Sequence, residues 1–547
     1  MHMPRLKHRL ITLLACLAMV LAGTAAMAAN YYVSPSGNDG NNGSSSSPWK
    51  SISRAASMAK ARGDVINVLA GDYTDNTTVV LAPGVSIKGA GRDKTTVRTS
   101  AGTYIRTENN GTPVIDGSNT ISGLRFIGNG GNTAISSVGR SLQRITGNSF
   151  ESFNLAITVS GKPFAWNSSC GGRRPANSAN YCDDDARTST QPGDNEWARG
   201  VVITNNNLTN CKLTASTIKD SEISYNVINN NGILKSAVGN PALWWDNVDF
   251  HHNELYTQTI SWQVIAVEVW MVQNNTKFRD NKTNGWFSII KNPNGPKTPW
   301  SWQIVRNTFS SNVPVGVGSA GVRAAIEACF HVENVLVEGN YVENTGSNMT
   351  YAHGLGIWGY GINRNFHVRN NVFRNMRSDG ILISTTDTYA QLFDGDNIHI
   401  YNNVIDGCNG GKSQGIYIED GAGDVDQITV RNNIFMGAAN AVLVNANHSV
   451  SGIQVTHNML HNVGAANRDY GSGAFSNVSG NFSAQPQFAY SGNRPYPFYK
   501  PSGAKCNLID KGTNVGLPYS GAAPDLGAYE YTVVAPPSNM RVIKVTQ

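Results

Sequence analysis

An asparagine returns along this chain in one frame: apolar, x, x, Asn, x, apolar. HVRNNVF around Asn371 is one instance and TVRNNIF around Asn433 is another. The frame recurs at Asn148, Asn206, Asn226, Asn253, Asn281, Asn307, Asn340, Asn371, Asn403, Asn433 and Asn458. From Asn206 onward the intervals are 20, 27, 28, 26, 33, 31, 32, 30 and 25 residues. Helical repeats hold their length and show a 3.6-residue period. Here the apolar residues alternate with a period of two and the spacing is elastic. One coil of strands per repeat, stacked at about 4.8 Å, meets both conditions. Asn is depleted inside strands but tolerates left-handed backbone and suits bends. The asparagines therefore belong to a bend between strands, where stacked amides bond to one another and to backbone as a ladder. The expected fold is all-β: a single-stranded right-handed parallel β-helix of roughly 11–13 coils, a rod of roughly 60 Å.

Residues 1–28 stand apart from this pattern. MHMPRLKHR is basic, LITLLACLAMVLAG is apolar, and Ala26-Met27-Ala28 is a small-x-small cleavage site. This is the pattern of a secretory signal peptide cut near Ala28, and the expected location is extracellular or periplasmic. No later segment has the ~20 uninterrupted apolar residues of a membrane helix. Loss of Arg5, Lys7 and Arg9 with the signal leaves 40 basic against 37 acidic residues. That balance is too even to argue for nucleic acid, and it permits an acidic substrate. A monomer is expected. Export allows disulfides, and Cys170 with Cys182, flanking a loop, is the expected pair. Cys329 and Cys408 sit in apolar strand context and are expected as buried thiols.

The start of the remaining chain reads as a strand, a polar loop and an amphipathic helix at about 48–61. Trp49, Ile52, Ala55, Ala56 and Ala59 share one face of it. Such a helix covers the open end of a first coil, which a solenoid requires. This opening resembles that of secreted right-handed β-helix proteins of the pectate-lyase-like superfamily. LIDKGTNVGLPYSGAAPDLGAYEY, residues 508–531, resembles their closing motif. The resemblance implies a β-helix domain over 29–532, and it implies an enzyme that degrades polysaccharides, with lyases prominent. It names no reaction, because one fold hosts many. Residues 533–547 resemble a linker and the first strand of a fibronectin-like module. The Asp-Pro-His-Asp of C5-epimerases does not occur.

Each coil has a second strand after the Asn bend, such as Gly380–Ser384 and Gly415–Asp420. Alternation sends Ile381, Ile383, Ile416 and Ile418 inward and Leu382, Ser384, Tyr417 and Glu419 outward. From the Asn to the first inward residue the chain runs 9 residues at Asn148 and Asn433, but 17 at Asn226, about 18 at Asn307, 15 at Asn340 and 13 at Asn403. Long segments follow Phe287 and Ile383 as well. Tall loops on both sides of one strand row, over the middle coils, make a groove suited to an extended polymer.

The expected floor of that groove carries Glu268, Trp270, Lys291, Glu327, Trp358, Tyr360, Asp387, Glu419 and Asp420, with Trp245 and Asp246 at one end. Aromatic faces stack on sugar rings and carboxylates bond hydroxyls, so Trp245, Trp270, Trp358, Tyr360, Asp387 and Glu419 are candidate substrate contacts. Two reactions fit. A glycoside hydrolase needs two carboxyl groups about 5 to 10 Å apart, which Glu268, Glu327 and Asp387 can supply. A lyase needs a base, and a cation or Ca²⁺ to neutralise a uronate carboxylate. Lys291, Arg323 and His353 are candidates for base or neutraliser. Asp387, Glu419 and Asp420 are candidates for Ca²⁺, with Asp420 the metal ligand singled out. The resemblance places β-elimination of an acidic glycan first, hydrolysis second, and a non-catalytic glycan-binding or surface-structural rod third. The insertion at 160–200, with Cys170, Cys182 and the acidic triplet Asp183, Asp184 and Asp185, is either a pinned lid or surface decoration.

Overall fold

A computed structural model describes residues 28–531, except 110–112, 163–191, 232–235, 262–263, 291–299, 316–323, 330–331, 359–360, 385–392, 409–412, 420–423, 446–449, 471–472 and 490–498. The chain winds into a parallel β-helix with three faces. One face is a 15-stranded parallel sheet running from Gly71–Thr74 to Phe482–Ser483. The other two belong to a 31-stranded sheet that folds at a corner. Strand Val238–His251 turns that corner, pairing at one end with Val267–Gln273 and at the other with Thr276–Arg279. Fourteen inter-strand steps make the 15-stranded face about 67 Å long. It outruns the asparagine count because its first strands, Gly71–Thr74, Thr95–Arg98 and Arg125–Ile127, precede the first rung.

The asparagines form the ladder, one per coil, and all eleven expected rungs are buried. Each Asn Nδ2 donates to the Oδ1 of the next rung at 2.9–3.2 Å. Each backbone N–H donates to that same Oδ1 at 2.9–3.0 Å. The second amide hydrogen reaches a main-chain carbonyl of the preceding coil, as in Asn371 to Val337 O at 2.9 Å. The amides are thus satisfied without water, as burial demands. Asn481 is a twelfth rung. The left-handed residue is not the rung but the one before it: Asn205, Tyr225, His252, Asp280, Arg306, Asn370, Asn402, Asn432 and His457 all have φ of 53–58°. A left-handed backbone is open to several side chains at modest cost, whereas the rung needs an amide.

Inside the coils the apolar residues form one continuous column. The capping helix is Ile52–Met58, shorter than expected from periodicity, with Ser51 as N-cap accepting from Arg54 N. Its buried face is Ile52, Ala55 and Ala56, flanked by buried Trp49 and Ala59. The C-terminal segment straps the 15-stranded face from outside: Tyr499, Cys506, Leu508, Leu526 and Ala528 pack on Tyr341, Val372, Val404, Ile434 and Met459. Cys329 and Cys408 are buried, as are Cys211 and Cys506. Residues 1–27, Cys170, Cys182 and the acidic triplet lie outside the described residues, and so do the long segments after Ile290 and Ser384.

Candidate functional site

Strands Val267–Gln273, Phe287–Ile290, Ala324–Cys329, His353–Trp358, Ile381–Ser384, Gln414–Glu419, Asn440–Asn445 and Ala465–Asp469 stack into one face. Their inward residues, among them Val267, Val269, Ile326, Ala328, Leu355 and Ile357, are fully buried. Alternation then turns a row of side chains outward. Glu268, Ser288, Glu327, Gly356, Leu382, Tyr417, Leu443 and Arg468 are partners in turn across this face. Two residues further on, Trp270, Ile290, Cys329, Trp358, Ser384, Glu419 and Asn445 form a parallel second row.

Glu268 and Glu327 therefore stand in one row with Ser288 between them, two inter-strand steps or about 9.6 Å apart at the backbone. Each carboxylate is tied to a tryptophan. Trp270 Nε1 donates to Glu268 at 3.1 Å. Trp358 Nε1 donates to Glu327 at 2.7 Å, and the Ser288 hydroxyl donates to the other oxygen of Glu327. Burial pushes the Glu268 carboxyl up to about 7; the Trp270 bond opposes the rise and the Glu327 charge adds to it. Lys212, on strand Lys212–Ser216, is close enough to Glu268 to feel its charge, and burial lowers its pKa. A carboxyl that holds its proton near neutral pH beside a second carboxylate is the arrangement of an acid and a base.

Two glycines shape this site. Gly239 lies beside Glu268 at a bulge in strand Val238–His251, with φ of 82°. A Cβ there would stand 2.1 Å from the Glu268 carbonyl oxygen. Bulges recur beside active sites, where they re-aim side chains. Gly356 lies in the row beside Glu327, and a Cβ on it would meet the Trp358 ring at 1.8 Å. The bare backbone lets the indole lie across the floor and reach the carboxylate one strand away. Gly356→Ala is expected to displace the Trp358 ring and break its bond to Glu327. Tryptophan fluorescence with circular dichroism checks this. An unchanged emission spectrum in a folded variant would mean that the ring does not depend on the bare backbone.

The structure brings together four of the expected site residues: Glu268, Trp270, Glu327 and Trp358. Trp270 and Trp358 are both half-buried, and Trp270 also leans on an outer apolar cluster of Trp197, Trp244 and Met271. Glu419 is on the floor three strands beyond Glu327, accepting from Ser384 Oγ at 3.1 Å. Trp245 corrects the expectation of a substrate contact. It is fully buried, stacked on Phe278 at 5.7 Å, with Nε1 donating to Ala215 O at 2.7 Å. The bulge and the left-handed Trp244 (φ 59°) turn it into the core. The same bulge revises the loop length after Asn226, because the inward position aligned with Val267 is Val238. Asp246 is buried in a 2.9 Å ion pair with Lys219. His353 is also buried, at the start of its strand, with Nδ1 3.2 Å from Asp379. Lys291, Arg323, Tyr360, Asp387 and Asp420 lie outside the described residues. Among the described residues no three His, Cys, Asp or Glu side chains are grouped to hold a metal ion.

Sequence reasoning missed Ser288, Lys212, Gly356 and a cleft further along the same floor. That cleft, about 690 Å³, is lined by Arg377, Asp379, Gln414, Tyr417, Asn445 and Arg468, among others. Tyr417 and Arg468 were legible as outward positions by counting. The wall residues Arg377 and Asp379 precede their strand and carried no periodic signal.

Residues 35–126 match the model of a family described as a protein of unknown function, DUF1565. No curated protein matches the chain. Among solved structures it is similar to the A-module of a mannuronan C-5 epimerase from Azotobacter vinelandii, at 13% identity over 80% of this chain and 94% of that one, with a TM-score of 0.34. It is similar to pectate lyase Pel9A, at 13% identity over 93% of this chain and 98% of that one, TM-score 0.29. It is also similar to the tailspike of E. coli bacteriophage HK620 in complex with a hexasaccharide, at 11% identity over 76% and 71%, TM-score 0.41.

Proposed function

We propose that this chain is a secreted enzyme that cleaves an extended polysaccharide along the floor, by hydrolysis between Glu268 and Glu327. The observation that carries the reading is the in-register carboxyl pair, with burial holding the Glu268 proton near neutral pH. Glu268 donates its proton to the glycosidic oxygen as the C–O bond breaks. Glu327, oriented by Ser288 and Trp358, takes a proton from the water that attacks the anomeric carbon. The products are two shorter chains, one with a new reducing end. Trp270 and Trp358 offer ring faces to sugars three inter-strand steps apart, about 14 Å.

A second reading is β-elimination on a uronate-containing glycan, and Lys212 is the observation that favours it. A lysine whose pKa is lowered by burial is a better base than a solvated one. A panel of neutral and acidic polysaccharides separates the two. New reducing ends without unsaturated-uronate absorbance support hydrolysis. The absorbance supports elimination. Retained binding with neither signal would leave a glycan-binding rod.

A further inference from the structure

The arginines of the middle coils are mostly spoken for. Arg279, Arg306, Arg364, Arg369 and Arg374 each meet a carboxylate at 2.7–3.1 Å. Arg377 and Arg468 do not: among the described residues neither guanidinium has an ion-pair partner, both are exposed, and both line the 690 Å³ cleft. Arg468 lies over the ring of Tyr470 at 4.8 Å, a stack that holds its planar fork in place. Tyr417 stands two strands away in the same row, its hydroxyl accepting from Asn445 Nδ2 at 3.1 Å. Among the described residues the carboxylates whose charge reaches Tyr417 are Glu419 and Asp379, and both are engaged. Asp379 is buried, accepts from Gln414 N at 2.8 Å through one oxygen and faces His353 at 3.2 Å with the other. Glu419 accepts from Ser384 Oγ. The cleft thus presents two unneutralised cations, a phenol and amide groups around a space that takes a sugar unit.

We propose that this cleft is an anion-recognising subsite, in which Arg377 and Arg468 hold a carboxylate- or sulfate-bearing sugar of the same chain that is cut at the acid pair. This rests on the groove reading above. Arg468 stands five inter-strand steps from Glu327, about 24 Å. The recognised sugar is therefore several units from the scissile bond, and short oligosaccharides cannot occupy both places.

The test measures binding by the full chain carrying Glu327→Gln, so that turnover does not consume the polymer. The probes are polygalacturonate, dextran sulfate and neutral dextran at two salt concentrations. Adding Arg377→Ala and Arg468→Ala is expected to weaken at least one anionic polymer tenfold or more at low salt, to flatten its salt dependence, and to leave dextran unchanged. Loss confined to polygalacturonate identifies a carboxylate, and loss confined to dextran sulfate identifies a sulfate ester. Arg377→Lys with Arg468→Lys keeps the charge and is expected to restore part of the affinity, which guards against a folding defect. Anionic polymers bound as tightly by the double alanine variant as by its parent would overturn the subsite, as would dextran bound as tightly as either of them. The two proposals fail separately. Charge-selective binding by a wild-type chain that cleaves nothing removes the hydrolysis and keeps the subsite. Cleavage with charge-blind binding does the reverse.

Discussion

Glu268→Gln is expected to lower turnover by ~10²- to 10⁴-fold, the range for loss of a positioned general acid. The amide keeps the shape and can still accept from Trp270, so folding is expected to survive. The wild-type rate should carry the signature of the same group. Glu268 works in its protonated form, and its carboxyl titrates at about 7. The rate is therefore expected to hold below that pH and to fall as pH rises through it, because the acid has then lost its proton. The residual activity of Glu268→Gln should lack that alkaline limb. Glu327→Gln should lose turnover to a similar extent but keep binding. The checks are kcat against pH for the wild type and both variants. A Glu268→Gln variant with wild-type turnover and an intact alkaline limb would remove Glu268 from the chemistry.

The second large effect concerns the scaffold. Asn371→Ala is expected to destabilise the middle of the rod by ~3–6 kcal/mol, because it orphans several buried groups at once, at ~1–3 kcal/mol each. Asn340 would lose the acceptor of both its backbone N–H and its Nδ2, each at 2.9 Å. Val337 O would lose the Asn371 amide as a donor, and Asn403 Oδ1 one of two. Its neighbour should behave differently. Asn370 is left-handed (φ 58°) and supplies backbone shape rather than a rung. Asn370→Ala should cost only about 1 kcal/mol, and Asn370→Gly almost nothing. Asn481→Ala, at a half-buried terminal rung, should fall between them. Chemical denaturation with hydrogen exchange reads both the size of the loss and its place, since coils contact mainly their neighbours. Equal losses at Asn370 and Asn371 would contradict the division of labour.

Most of the fold was legible because its determinants are local and repeated. The Asn frame sets the bend, the two-residue alternation sets inside and outside, and the apolar face of Ile52, Ala55 and Ala56 sets the cap. Trp270 and Trp358 could be placed outward by counting from Asn rungs, and Glu268 and Glu327 with them. Counting failed at Trp245, where a bulge breaks the alternation, and bulges depend on what the neighbouring strand presents. It also failed at Asp379 and Arg377, which lie in a turn where no period applies.

What the sequence by itself determined is the coil: which residues bend, which point inward, and which row faces out. The reason is that one coil repeats the same short-range physics many times. What only the tertiary structure decided is the register between coils. Glu268, Ser288 and Glu327 are 20 and 39 residues apart, yet they share one row. Stretches of unequal length separate them, so no spacing in the chain announces the match. The burial that holds the Glu268 proton, and the bare backbone of Gly356 that lets Trp358 cross to Glu327, exist only once the strands are stacked.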